Sequence, residues 1–380
     1  MSRHYEIKTS PSSLLEKFGL YYLNFFRRID SDHDVFHFKD PQLAKKINRI
    51  TTKGILLSSL IGIICVFPTV WVDIHFADKP FIEHYGWVAA VTLISIIIEL
   101  YFLFIIALRV VYDVSEIINI HATKNELVND GVFSVKHILA RTALELPDPE
   151  LKILGIDPFQ RVSKKNLFVL GLLYKAKILL TNLVLKYSLL FLFGPAIFGI
   201  PVLYEALLVE CFWNSVVIRR VVYEARLRLF GFALANQIAK NVIHDHIIEQ
   251  LSPEAKTGCL RAIGNAVVMA QNYHPNMIIL LIRFQQILKI SEANKYDDWQ
   301  LFLQTLKTVN EKERNFLLDL FTVAASFDGK LSQLEKNSLR EAYQQDYDIY
   351  FPRLIKLTGF LRHGKLNAAL EESKLNFTVG

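Results

Sequence analysis

The sequence predicts an all-α integral membrane protein with two transmembrane helical hairpins and cytoplasmic helical domains. Three observations predict it. Two apolar runs of span length, Gly54–Val72 and Gly86–Leu108, lie side by side, separated by a short loop. Of the 380 residues, 52% are apolar and 27 are Phe, a richness suited to lipid-facing helices. Basic residues crowd the segments on the far side of each apolar pair from its connecting turn, as the positive-inside rule expects.

The N-terminal segment, residues 1–52, is polar and charged, which predicts no cleavable leader and makes the first apolar run an uncleaved anchor. Within it, "SSLLEKFGLYYLNFFRR" sets apolar residues from Leu14 to Phe26 at near-helical spacing, with Ser13 and Glu16 as a capping box. Two readings stay open for this helix: it lies on the bilayer, or it packs on the protein's own cytosolic part.

The first hairpin occupies residues 53–112. Its runs are 19 residues without a charge and 23 residues with one, Glu99. Each meets the length of about 20 apolar residues that a bilayer requires. Trp71, Phe76, Phe81, Tyr85 and Trp87 flank the turn as an aromatic belt. Glu99 falls opposite Ser58 and Ser59, whose hydroxyls are its expected partners.

Residues 113–165 read as a helical connector, with a helix near Val132–Leu146 and breaks at "LPDPE" and "GIDPF". A second hairpin is expected over 166–218, turning at "GPAIFGIP". Lys175 and Lys177 snorkel at its entry. Lys186 and Glu210 fall at similar depth on facing helices, where a salt bridge is geometrically reasonable. The intramembrane set Glu99, Lys186 and Glu210 admits two uses, an ion or proton path and a clamp between helices. An even number of spans, with basic residues at both ends and between the hairpins, puts both termini in the cytoplasm.

Residues 219–380 form the C-terminal cytoplasmic region. Arg219, Arg220, Arg226 and Arg228 are expected at the membrane interface, on lipid headgroups. His244, Asp245, His246 and Glu249 read as a solvated helix face. "LSPEAK" starts a helix, with Ser252 as N-cap and Pro253 at the first position. "SFDGKLSQLE" has the flavour of a calcium loop. An EF-hand ending at Glu335 would begin at Ala324, however, which cannot ligate. The simpler reading is a turn: Gly329 at positive φ, Leu331 against the core, and Ser332 with Glu335 capping the next helix.

In "LLDLFTVAASFDGKLSQLEKNSL" a helix ends in Ala-x-x-Asp-Gly and the next begins with Ser-x-x-Glu. This resembles the TerB-like (tellurite-resistance type) helical domain, over about residues 255–372. The resemblance implies an internal duplication. "VVMAQNYHPNMIILLIRF" aligns as the first copy, Ala270 with Ala324 and His274 with Asp328. It also implies metal held by paired acids of both copies. The first copy lacks them, leaving Asp328 and Glu335 as the metal candidates. A bacterial inner-membrane protein in envelope stress, metal or defence signalling is the implied setting.

No glycine-rich phosphate loop, HExxH, GxSxG or paired-cysteine signature is present, and Cys65, Cys211 and Cys259 read as buried thiols. The expected function is a membrane-anchored, non-catalytic scaffold or sensor without cofactor. The alternative is a transporter or channel subunit using Glu99, Lys186 and Glu210. The expected partners are the bilayer, a cytoplasmic protein and other copies of the chain in a homo-oligomer, with no nucleic acid.

Overall fold

The computed structural model describes residues 14–29, 38–118, 135–144, 146, 156, 202–271, 274–290, 295–331 and 333–375. Every regular element among them is a helix. An apolar bundle is built from α2 (Asp40–His75), α3 (Phe81–Ile118) and α5 (Val202–His244). Beside it pack α1 (Leu14–Ile29) and α4 (Val135–Ala143). After α6 (Ile247–Gln250) comes a C-terminal unit: α7 (Pro253–Ala270), α8 (Pro275–Leu288), α9 (Trp299–Thr308), α10 (Glu311–Ser326), α11 (Gln333–Tyr343), α12 (Tyr347–His363) and α13 (Leu366–Glu372). The expected second turn and the helix before it, residues 166–201, lie outside the described residues, Lys175, Lys177 and Lys186 with them.

α2 and α3 are long and apolar enough to cross a bilayer. Only 28% and 22% of their most apolar stretches are buried. Leu60, Ile64, Phe67, Leu93, Ile94 and Ile97 all point outward. The core helix of a water-soluble protein would bury such residues, at about 1.5–3 kcal/mol each. Inside the bundle the contacts are small. Gly54, Ser58 and Gly62, spaced by four, put one close-packing stripe of α2 against its neighbours. A Cβ on Gly54 would stand 2.6 Å from Val110 and 3.2 Å from Ile218. At the hairpin turn His84 pairs with Asp73 at 2.8 Å, and the Phe76 and Trp87 rings lie 6.0 Å apart.

α1 is joined to α4 by a buried ion cluster. Glu16 accepts from Arg141 and from His137, both at 2.8 Å. Glu16 thus carries a tertiary pairing; its expected capping-box partner, Ser13, lies outside the described residues.

In the C-terminal unit α10 is buried nearly all round and forms the central helix. Its Phe316 and Phe321 join Phe302 of α9 and Tyr343 of α11 in the core. Helix starts are capped locally: Ser252 Oγ accepts from Ala255 N at 3.2 Å, as expected, and Asn310 with Glu313 completes a capping box. Gly329 turns the chain at φ +68°, and Leu331 packs against the core. Cys65 and Cys259 are buried, whereas Cys211 is half-exposed on α5.

Candidate functional site

Three helices of the apolar bundle bring polar groups to one place. Glu99 comes from α3, Glu210 and Asn214 from successive turns of α5, and Ser58 and Gly62 from α2. Glu99, Glu210, Asn214 and Ser58 are all buried. Asn214 Nδ2 donates to Glu99 Oε1 at 3.0 Å and to the Ser58 carbonyl at 3.1 Å. One amide thus bridges all three helices. Gly62 makes the room: a Cβ there would stand 2.7 Å from Asn214 Nδ2, 3.3 Å from Glu210 Cβ and 3.7 Å from Glu99 Oε1.

The serine hydroxyls are not the partners of Glu99. Ser58 Oγ donates to the Ile55 carbonyl at 3.0 Å, within its own helix. Ser59 Oγ lies 3.4 Å from the Cys211 carbonyl and from Ser215 Oγ. A hydroxyl has one proton: Ser58 spends it on the preceding turn, and Ser59 turns to α5. The amide has two, which suit a carboxylate and a carbonyl together. Asn214 was the missed residue; its signal was an amide inside the apolar run "CFWNSVVI".

Glu210 Cβ and Glu99 Oε1 both come within 4 Å of the Cβ position at Gly62, so the two acidic side chains converge over that glycine.

The second region predicted is the turn after α10. Asp328 is buried, and its Oδ1 accepts the Lys330 N–H at 2.8 Å. Asn276 Nδ2 donates to the Leu227 and Phe327 carbonyls, each at 3.1 Å, tying α8, α5 and this turn together. His274, at the start of α8, is buried with neither ring nitrogen hydrogen-bonded. Burial holds its imidazole well below the usual range, and the nearby charges of Arg228 and Lys330 add to this. The Glu335 side chain lies outside the description. Among the described residues no three His, Cys, Asp or Glu side chains are grouped to hold a metal.

The basic set divides. Arg219 is exposed and Arg220 half-exposed, just past the apolar stretch of α5. Arg226 instead turns to the C-terminal unit, donating to the Arg362 carbonyl at the end of α12 and stacking near Tyr223. Burial lowers its pKa. Arg228, half-buried, faces His274. His246 and Glu249 pair at 3.3 Å on an exposed helix end.

No family model, curated protein or solved structure matches this chain.

Proposed function

We propose that the chain is a membrane-anchored, non-catalytic scaffold or sensor, with both ends in the cytoplasm of a bacterial cell, presenting a TerB-like helical unit to a protein partner. One observation carries this reading. α5 is a single helix of 43 residues, about 64 Å long, that passes from the apolar bundle into the C-terminal unit. At one end it bears Asn214. At the other, Asn236 accepts from Arg283 of α8 at 2.9 Å. A second joint supports the same reading: Asp40 at the start of α2 accepts the Asn367 and Ala368 N–H groups of α13 at 2.8 and 3.1 Å. A unit tied at two places to the base of a bundle moves with it.

The TerB-like resemblance draws support from the paired turns. α7 ends at Ala270 and α10 two residues past the aligned Ala324. Asn276 of the first copy bonds Phe327 of the second.

Flotation with lipid vesicles and resistance to alkaline extraction are the expected results for the full chain. A chain monodisperse in buffer without detergent overturns the reading. Asp78→Cys, at the hairpin tip, is expected to react with a membrane-impermeant maleimide from outside the cell, and labelling only from the cytoplasmic side reverses the orientation.

The buried Glu99–Asn214–Glu210 cluster favours a second reading, a subunit of a transporter or channel. Ion flux into proteoliposomes that Glu99→Gln and Glu210→Gln each abolish would establish it. Absence of flux in the parent protein leaves the scaffold.

A further inference from the structure

α1 has three distinct faces. At 100° per residue, Glu16, Gly19, Leu23 and Phe26 share one side, and all are buried against the protein. Leu14, Tyr21, Phe25 and Ile29 point away, with 85%, 66%, 47% and 60% of their surface exposed. Lys17 and Arg28 project along one margin of that apolar face, and Arg27 leaves the last turn.

Ring contacts fix how α1 runs. Phe18 lies 6.0 Å from Tyr101, and the Tyr22 and Tyr101 hydroxyls are hydrogen-bonded at 2.7 Å. Eight residues after Phe18, Phe26 lies 6.0 Å from Tyr112 of α3. The helix therefore follows α3 toward its C-terminal end. Its outer apolar face is continuous with exposed Ile97, Ile98, Tyr101 and Phe102 of the span.

We propose that α1 is a lipid-binding fin at the cytoplasmic leaflet, with Leu14, Tyr21 and Phe25 among acyl chains and Arg27 and Arg28, at the end that reaches Tyr112, on anionic phospholipid headgroups. Two things argue for lipid over a protein partner. The apolar surface continues the bilayer-facing belt, and Arg27 and Arg28 gather in the last turn, beside Tyr112 and just past the apolar run of α3. The proposal rests on the membrane reading above, so its test carries a control for that reading.

The full chain, carrying the photo-crosslinker p-benzoylphenylalanine, is reconstituted in vesicles of phosphatidylcholine and phosphatidylglycerol. Crosslinkers replace Tyr21, Leu23 or Ile64 in turn. Lipid adducts are expected from Tyr21 and Ile64 and not from buried Leu23. Adducts from Ile64 with none from Tyr21, or protein adducts at Tyr21, overturn the fin and leave the membrane reading standing. No lipid adduct from either position overturns the membrane reading itself. Tyr21 adducts are expected to be about fivefold richer in phosphatidylglycerol than the vesicle. Arg27→Gln with Arg28→Gln is expected to bring them toward the vesicle composition. Adducts that match the vesicle composition in the parent chain overturn the anionic specificity.

Discussion

Asn214 and Glu99 meet at 3.0 Å inside the apolar bundle, across a sequence separation of 115 residues. The contact joins α3 to α5, and its second arm, to the Ser58 carbonyl, adds α2. A buried carboxylate that loses such a donor retains its desolvation cost, about 1–3 kcal/mol or more. Asn214→Leu is therefore expected to lower stability in detergent by about that amount. The double variant with Glu99→Leu should recover part of the loss, because it removes both partners. Additive effects in the thermal melts would show that the two side chains are not coupled.

Gly62 is the spacer for this cluster. Gly62→Ala is expected to cost about 1–3 kcal/mol by overpacking against Asn214 and Glu210. Gly86→Ala is the matched control, since a Cβ there meets nothing within 4 Å. Equal melting temperatures for the two variants would deny the close approach.

The joint between α2 and α13 is a helix cap supplied from 327 residues away. Asp40→Ala is expected to cost about 0.5–2 kcal/mol, the usual worth of an N-cap. Hydrogen exchange locates the loss: the Asn367 and Ala368 amides should exchange faster, while those of α10 should not change.

His274 makes stability depend on pH. Its folded-state pKa is lowered and the unfolded value is about 6.5, so below that pH the unfolded chain binds the extra proton. Stability is thus lost as pH falls from about 6.5, by up to about 1.4 kcal/mol per unit until the folded value is reached. His274→Leu is expected to flatten this slope. Melts from pH 7 to pH 5 with parallel slopes for both proteins would remove His274 as the cause.

Much of the fold was legible because it depends on local chemistry. The absence of charge over Gly54–Val72 marks an apolar helix wherever it packs. Ser252 before Pro253 marks a helix start, and Gly329 a turn with positive φ. The site was legible only in part. Glu99 and Glu210 stand out as charges in apolar runs, but serine was the expected partner where an amide does the work. Arg226 reads as a headgroup ligand from its place after an apolar run. The register at which α5 meets α12 sends it instead to the Arg362 carbonyl.

Local residue patterns were enough to foresee helical elements, the place of an apolar hairpin of membrane length, and the residues that start and stop several helices. Each of these follows from hydropathy and backbone chemistry within a turn or two. Packing alone settled that Asn214 serves Glu99, that Glu16 pairs with Arg141, and that Asp40 holds α13. Such pairings depend on where helices distant in the chain cross. A buried polar group takes whichever donor that crossing brings within about 3 Å.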